Sequence, residues 1–170
     1  MKNPTLNLFL SPRGRIARKT FAIALAALAV FLIAQHYGFE ALGTGAANFY
    51  IAPIFFFLNL HIIFCIYGKR LHDIGRSSWP LIAMFAILIV AAIIAMLAFG
   101  GLEYFEGAMD PKINQDAAAM QALHDTYQAK LAANTLTIAV MLYVIPALFT
   151  LWLLAAPGHK DDNRYGPPAV

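Results

Sequence analysis

Charge is what this chain has least of. Only 12% of its 170 residues are Asp, Glu, Lys or Arg, against about a quarter in ordinary soluble domains. A surface so poor in charge is not built for water alone. Cysteine is nearly missing too. The single thiol, Cys65, excludes an internal disulfide, and its apolar neighbours make it a buried thiol. No glycine-rich phosphate loop, zinc-ligand spacing or triad pattern occurs, so the sequence offers no metal site, no cofactor and no ready-made catalytic set.

What is present is apolar: 61% of the chain. The net charge of +3 raises the question of nucleic acid. The basic residues, however, stand in short blocks beside apolar runs, which points to a membrane surface and away from nucleic acid.

A bilayer core about 30 Å thick needs roughly 20 apolar residues of helix. Four stretches fit, at about 20–37, 49–67, 79–99 and 136–156, and none contains Asp, Glu, Lys or Arg. A soluble helix of that length would carry a polar stripe, and Leu81 to Phe99 carries none. The alternation of barrel strands is also missing, so helices are the spanning elements. The expected fold is all-α: one membrane domain over 1–170, an integral bundle of four transmembrane helices. A basic start before an apolar run can also belong to a cleaved signal peptide. Here 19 residues precede the run, and no small-x-small site follows near Ala34.

The basic residues choose an orientation. Lys2, Arg13, Arg15, Arg18 and Lys19 precede the first span. Lys69, Arg70 and Arg76 lie between the second and third, and Lys160 and Arg164 in the tail, 157–170. The opposite face has only Lys112 and Lys130, with Glu40, Glu103, Glu106, Asp110, Asp116 and Asp125. By the positive-inside rule both termini are expected in the cytoplasm. All three basic segments share a side only if the spans number four.

Leu6, Leu8, Phe9 and Leu10 are placed to dip into the interface. Ala22, Ala26 and Ala29 share one face of the first span and suit close helix packing. Asn59 and His61 are intramembrane polar residues about 200° apart on their helix. Each is either interhelical glue or part of a polar path or ligand contact. Gly75 suits a tight turn or a helix stop, Ser77 or Ser78 an N-cap, Trp79 an interfacial anchor and Pro80 a first turn. In the outer loop, 100–135, Asp110-Pro111 opens an additional amphipathic helix carrying Ile113, Ala117, Met120, Leu123, Tyr127 and Leu131. Pro146 is expected to kink the fourth span.

Three strings line up around the spans: Arg13-Gly14-Arg15-Ile16-Ala17-Arg18-Lys19, then Lys69-Arg70-Leu71-His72-Asp73-Ile74-Gly75-Arg76-Ser77, then Asn163-Arg164-Tyr165-Gly166-Pro167-Pro168. In this order they resemble the bacterial family called domain of unknown function 805, from about Leu10 to Pro168. The resemblance implies a small multi-span protein of the bacterial inner (plasma) membrane. It implies no activity and hands over no catalytic residue. Ser77-Ser78-Trp79-Pro80 stands where the family usually has Ser-Gly-Trp-Trp.

All three strings are expected on the cytoplasmic face. Arg13, Arg15, Arg70, His72, Asp73, Arg76, Asn163, Arg164 and Tyr165 are therefore the candidate ligand-binding residues. Arginine forks suit an anionic lipid head or a small phosphate. The plainer reading is that these arginines set topology and pair with Asp73, Asp161 and Asp162. An enzyme acting on a lipid-borne substrate would use His72 as a base, but neighbouring His72 and Asp73 point about 100° apart on a helix. A transporter or channel subunit would line its path with Asn59 and His61 and would need to oligomerise. A scaffold in a homo-oligomer or larger membrane complex is a further option. In every reading the lipid bilayer is the first partner.

Overall fold

The computed structural model describes residues 4–43 and 45–169. Lys2, counted above among the basic residues, lies outside them. The structure is all-α, with four helices long and apolar enough to cross a bilayer. Val30, Phe57, Ile89 and Leu148, one on each of these helices, are 61–68% exposed. Apolar surface on this scale is a liability in water and ordinary in lipid. The described residues fall into two compact units, one within 1–81 and 151–170, the other within 82–150.

The first unit holds α1 (Pro4–Leu10), α2 (Arg18–Leu42) and α3 (Ala46–Asp73). It also takes in the first residues of α4 (Trp79–Met96) and the last of α8 (Thr135–Ala155). Helices α2 and α3 overrun the apolar stretches expected at 20–37 and 49–67. Glu40, read from the sequence as loop, sits in the last turn of α2, where His36 lies 3.3 Å from it. The helix stops at Gly43, whose φ of 68° suits a residue without Cβ.

The packing face of α2 differs from the alanine face expected from spacing. Ala22, Ala26 and Ala29 are exposed, while Phe21, Ala24 and Leu28 are buried. The ring of Phe21 meets Tyr67 of α3 edge-on, centroids 5.3 Å apart. Such a pair buries far more surface than an alanine contact and fixes the rotation of the helix.

Helix α3 ends as its sequence predicts. Gly75, at φ 75°, follows the last turn. The Arg76 amide donates to the Leu71 carbonyl at 2.8 Å and the Gly75 amide to the His72 carbonyl at 3.1 Å. This Schellman closure satisfies carbonyls left free at the helix end. Ser78 precedes α4, and Trp79 at its start is 71% exposed.

In the second unit α4 runs into a wide turn, Leu97–Gly101, where Phe99 and Gly100 leave helical geometry. Helix α5 (Leu102–Met109) follows. The single amphipathic helix expected from Asp110 onward is two helices. Asp110 does cap α6 (Pro111–Asn114), its side chain accepting from the Lys112 amide at 2.9 Å. That helix stops after four residues. Asp116 then starts α7 (Ala117–Ala133), accepting from the amides of Ala118 and Ala119. The second cap wins because Asp116 precedes a run of alanines, which favours a fresh helix start. Tyr104 stacks on Tyr127 at 4.9 Å and Lys130 pairs with Glu103, joining α5 to α7. Only Asn134 separates α7 from α8, which continues through Pro146.

Candidate functional site

The site is built at the basic end of the first unit, from three chain segments far apart in sequence. The segment entering α2 brings Arg15. The end of α3 brings Arg70, His72 and Asp73. The tail after α8 brings Asn163, Arg164 and Tyr165.

Asp73 is the hub. Its side chain is 4% exposed and stands between two arginine side chains at 1% and 0%. One carboxylate oxygen accepts from Nε and a terminal nitrogen of Arg15, both at 3.3 Å. The other accepts from Arg70, one helical turn back. The shared carboxylate gives each buried guanidinium an ionic partner, since an arginine wholly unpaired in an interior is costly; the trio keeps a net charge of +1.

The remaining donors of these arginines go to the backbone of the tail and of α8. Arg15 donates to the carbonyls of Asp161 and Gly166, each at 3.0 Å, and to that of His159. Together with its bonds to Asp73 this engages all five guanidinium hydrogens. Arg70 donates to the Leu153 carbonyl at 3.0 Å and to that of Ala156. Leu153 lies in the last turn of α8 and Ala156 just past it, where carbonyls lack a helical partner and a cation is favoured. The His159 amide in turn donates to the Asp73 carbonyl at 2.8 Å. Between them Gly158 passes so close that a Cβ there would fall onto the Asp73 carboxylate.

His72 points elsewhere, as the helical angle between neighbours requires. Its Nδ1 lies 3.2 Å from the Gly14 carbonyl, so that nitrogen carries the hydrogen. Its Nε2 then accepts from the Ser78 hydroxyl at 3.3 Å. The imidazole stacks on Tyr165, centroids 3.8 Å apart and planes 7° from parallel. The Arg164 guanidinium sits over the Tyr165 ring at 4.7 Å. Asn163 donates to the His72 carbonyl at 3.0 Å and closes a tight turn with Gly166.

Of the nine residues singled out in the sequence, seven thus meet in one network. Arg13 and Arg76 are exposed and stand outside it. Arg164 is exposed as well. None of these three has a carboxylate partner among the described residues.

The two intramembrane polar residues bond to different helices. Asn59 donates to Gln35 of α2 at 2.9 Å. His61 contacts the Leu10 carbonyl of α1 at 3.0 Å and lies 3.5 Å from the Cys65 sulfur. Cys65 is buried, as expected. Lys69, which carried no site assignment from sequence, is 3% exposed and donates to the carbonyls of Asn7 and Leu8. It and His61 together cap the C-terminal end of α1 and hold that helix against α3. The only sequence signal for this role is a lysine one turn before the buried Asp73.

A cavity of about 590 Å³ opens beside α1, lined by Leu8, Phe9, Arg13, Thr20, Ala27 and Lys69 among others. A smaller one of about 260 Å³ adjoins it, sharing Phe9 and Ala27 and adding Leu28, Phe31 and Ile62.

A search of curated proteins found no match, nor did a search of solved structures. A family model described as "Protein of unknown function (DUF805)" matches residues 9–107. The match takes in the first two of the three strings and stops before the tail. It spans more than half of the chain, which therefore belongs to the DUF805 family.

Proposed function

We propose that this multi-pass protein works in the bacterial inner membrane as a binding or accessory module, with its basic end in the cytoplasm recognising an anionic lipid head or phosphate group. In this reading Arg15, Arg70, His72, Asp73, Asn163 and Tyr165 form the frame. Arg13, Arg76 and Arg164 are the contacts that meet the anion.

One observation carries the reading. The buried arginines share the Asp73 carboxylate and give their other donors to backbone carbonyls, while the exposed Arg13, Arg76 and Arg164 have no carboxylate partner among the described residues. An arginine whose donors no carboxylate engages can offer its fork to a phosphate. The frame holds its backbone in place, so little ordering cost opposes binding.

The test is native mass spectrometry of the full chain from mild detergent, with phosphatidylglycerol and phosphatidylcholine compared. A hydrogen bond to a charged group is worth about 1.5–3 kcal/mol. Arg76→Ala alone should then weaken the anionic adduct by about tenfold or more, at 1.4 kcal/mol per decade. Arg13→Gln, Arg76→Gln and Arg164→Gln combined should remove the preference for the anionic lipid while leaving thermal stability unchanged. If the triple variant keeps the wild-type preference, the reading fails.

A further inference from the structure

We propose that the groove between α1 and α2 is a binding site for one anionic glycerophospholipid, its phosphate on Arg13 and Lys69 and one acyl chain along α2. The inference rests on the anion-binding reading above, with which it shares Arg13; it adds Lys69 and names the ligand class, while Arg76 and Arg164 do not line this groove.

The polar end of the groove is made by Arg13, Lys69 and Thr20. Arg15 also lines it but has spent all its donors. The Lys69 ammonium has three hydrogens and gives two to α1 carbonyls, so one is left for a ligand. Arg13 is exposed, and no hydrogen bond engages its guanidinium among the described residues.

Below this end the groove turns apolar. Its floor is a stripe of α2 in which Thr20, Ile23, Ala24, Ala27, Leu28 and Phe31 recur at steps of three and four. From Thr20 to Phe31 the helix rises about 16 Å at ~1.5 Å per residue. That is close to half of a bilayer core about 30 Å thick. The groove therefore has a basic head and an apolar track about one leaflet deep. A free phosphate would fill the head and leave the track empty. A phospholipid fills both. Phe9 of α1 and Ile62 of α3 line the smaller chamber together with Ala27, Leu28 and Phe31 of α2. Helix α1 is thus held by Lys69 and His61 in the position that forms the groove.

Ala27 is exposed and lines both cavities, so enlarging it plugs the track without disturbing a buried contact. The full chain is titrated in detergent with phosphatidylglycerol carrying C16 and C18 chains, and separately with its dihexanoyl form. Ala27→Phe is expected to weaken the long-chain adduct at least tenfold and to leave the dihexanoyl adduct at the wild-type level. If Ala27→Phe binds the long-chain lipid as the wild type does, the groove is wrong, while the basic-end reading stands. If the wild type shows no preference for phosphatidylglycerol over phosphatidylcholine, both fall.

A second measurement needs no variant. Phosphatidylglycerol with a diazirine midway along one acyl chain is photolysed on the wild-type protein. Label concentrated on Phe9 and on residues 23–31 supports the groove. Label spread evenly over the four long helices overturns it.

Discussion

His72 and Tyr165 lie face to face, 93 residues apart in sequence, with ring centroids 3.8 Å apart and planes 7° from parallel. The stack ties the tail to the end of α3, and the Asn163 bond to the His72 carbonyl fastens the same place from the other side. An aromatic pair of this kind contributes about 0.5–1.5 kcal/mol beyond the area it buries. Tyr165→Phe keeps the stack, and Tyr165→Ala removes it. Limited proteolysis in detergent is expected to clip the tail of Tyr165→Ala within 157–169 several times faster than that of the wild type or Tyr165→Phe. Equal rates for all three would mean that the tail is held by its hydrogen bonds to Arg15, Asp73 and His72 and not by the stack.

Asp73 makes a harsher test. Asn has the same shape but no charge, so Asp73→Asn leaves Arg15 and Arg70 buried side by side without a counter-charge. Removing one partner from a buried ion pair typically costs about 3–5 kcal/mol. The variant is expected to lose most of its folded yield by size-exclusion chromatography. Arg15→Lys should also be destabilised, because an ammonium cannot reproduce five forked donors. A monodisperse Asp73→Asn protein melting at the wild-type temperature would show that the ion pairs are not what holds this end together.

The spans were legible in the sequence because lipid imposes a simple demand: some twenty apolar residues without a charge. Gly75 was legible because few residues accept a positive φ, and the helix stop it predicts is there. The face of α2 was not. Spacing shows that Ala22, Ala26 and Ala29 share a side, but which side packs was decided by Phe21 against Tyr67, 46 residues away. The break at Gln115 was hidden because Ile113, Ala117 and Met120 keep helical spacing across it, while the Asp116 cap acts through two amides. The network around Asp73 was half legible. The sequence supplied seven of its side chains. It gave no sign that Arg15 would spend its donors on the carbonyls of His159, Asp161 and Gly166, because a backbone acceptor leaves no mark on residue identity. For the same reason Lys69, bonded to the carbonyls of Asn7 and Leu8, went unassigned.

The network also bears on topology. Arg15 reaches Asp73, and Asn163 reaches the carbonyl of His72. Residues joined by hydrogen bonds must share one side of a membrane. Two long apolar helices separate Arg15 from Asp73, and two more separate Asp73 from Asn163. Each pair of crossings returns the chain to the side it left, so the hydrogen bonds and the span count agree. Which side that is depends on the charges, since Arg13, Arg15, Arg18, Lys19, Lys69, Arg70 and Arg76 are all at this end. In the proposed orientation, which follows the positive-inside rule, they lie in the cytoplasm. A green fluorescent protein fused after the tail is then expected to fluoresce, and alkaline phosphatase inserted at Gln115 to be active. Fluorescence lost at the tail together with phosphatase activity gained there would reverse the orientation. It would also put the exposed arginines on the wrong side for a cytoplasmic ligand, whatever their affinity in detergent.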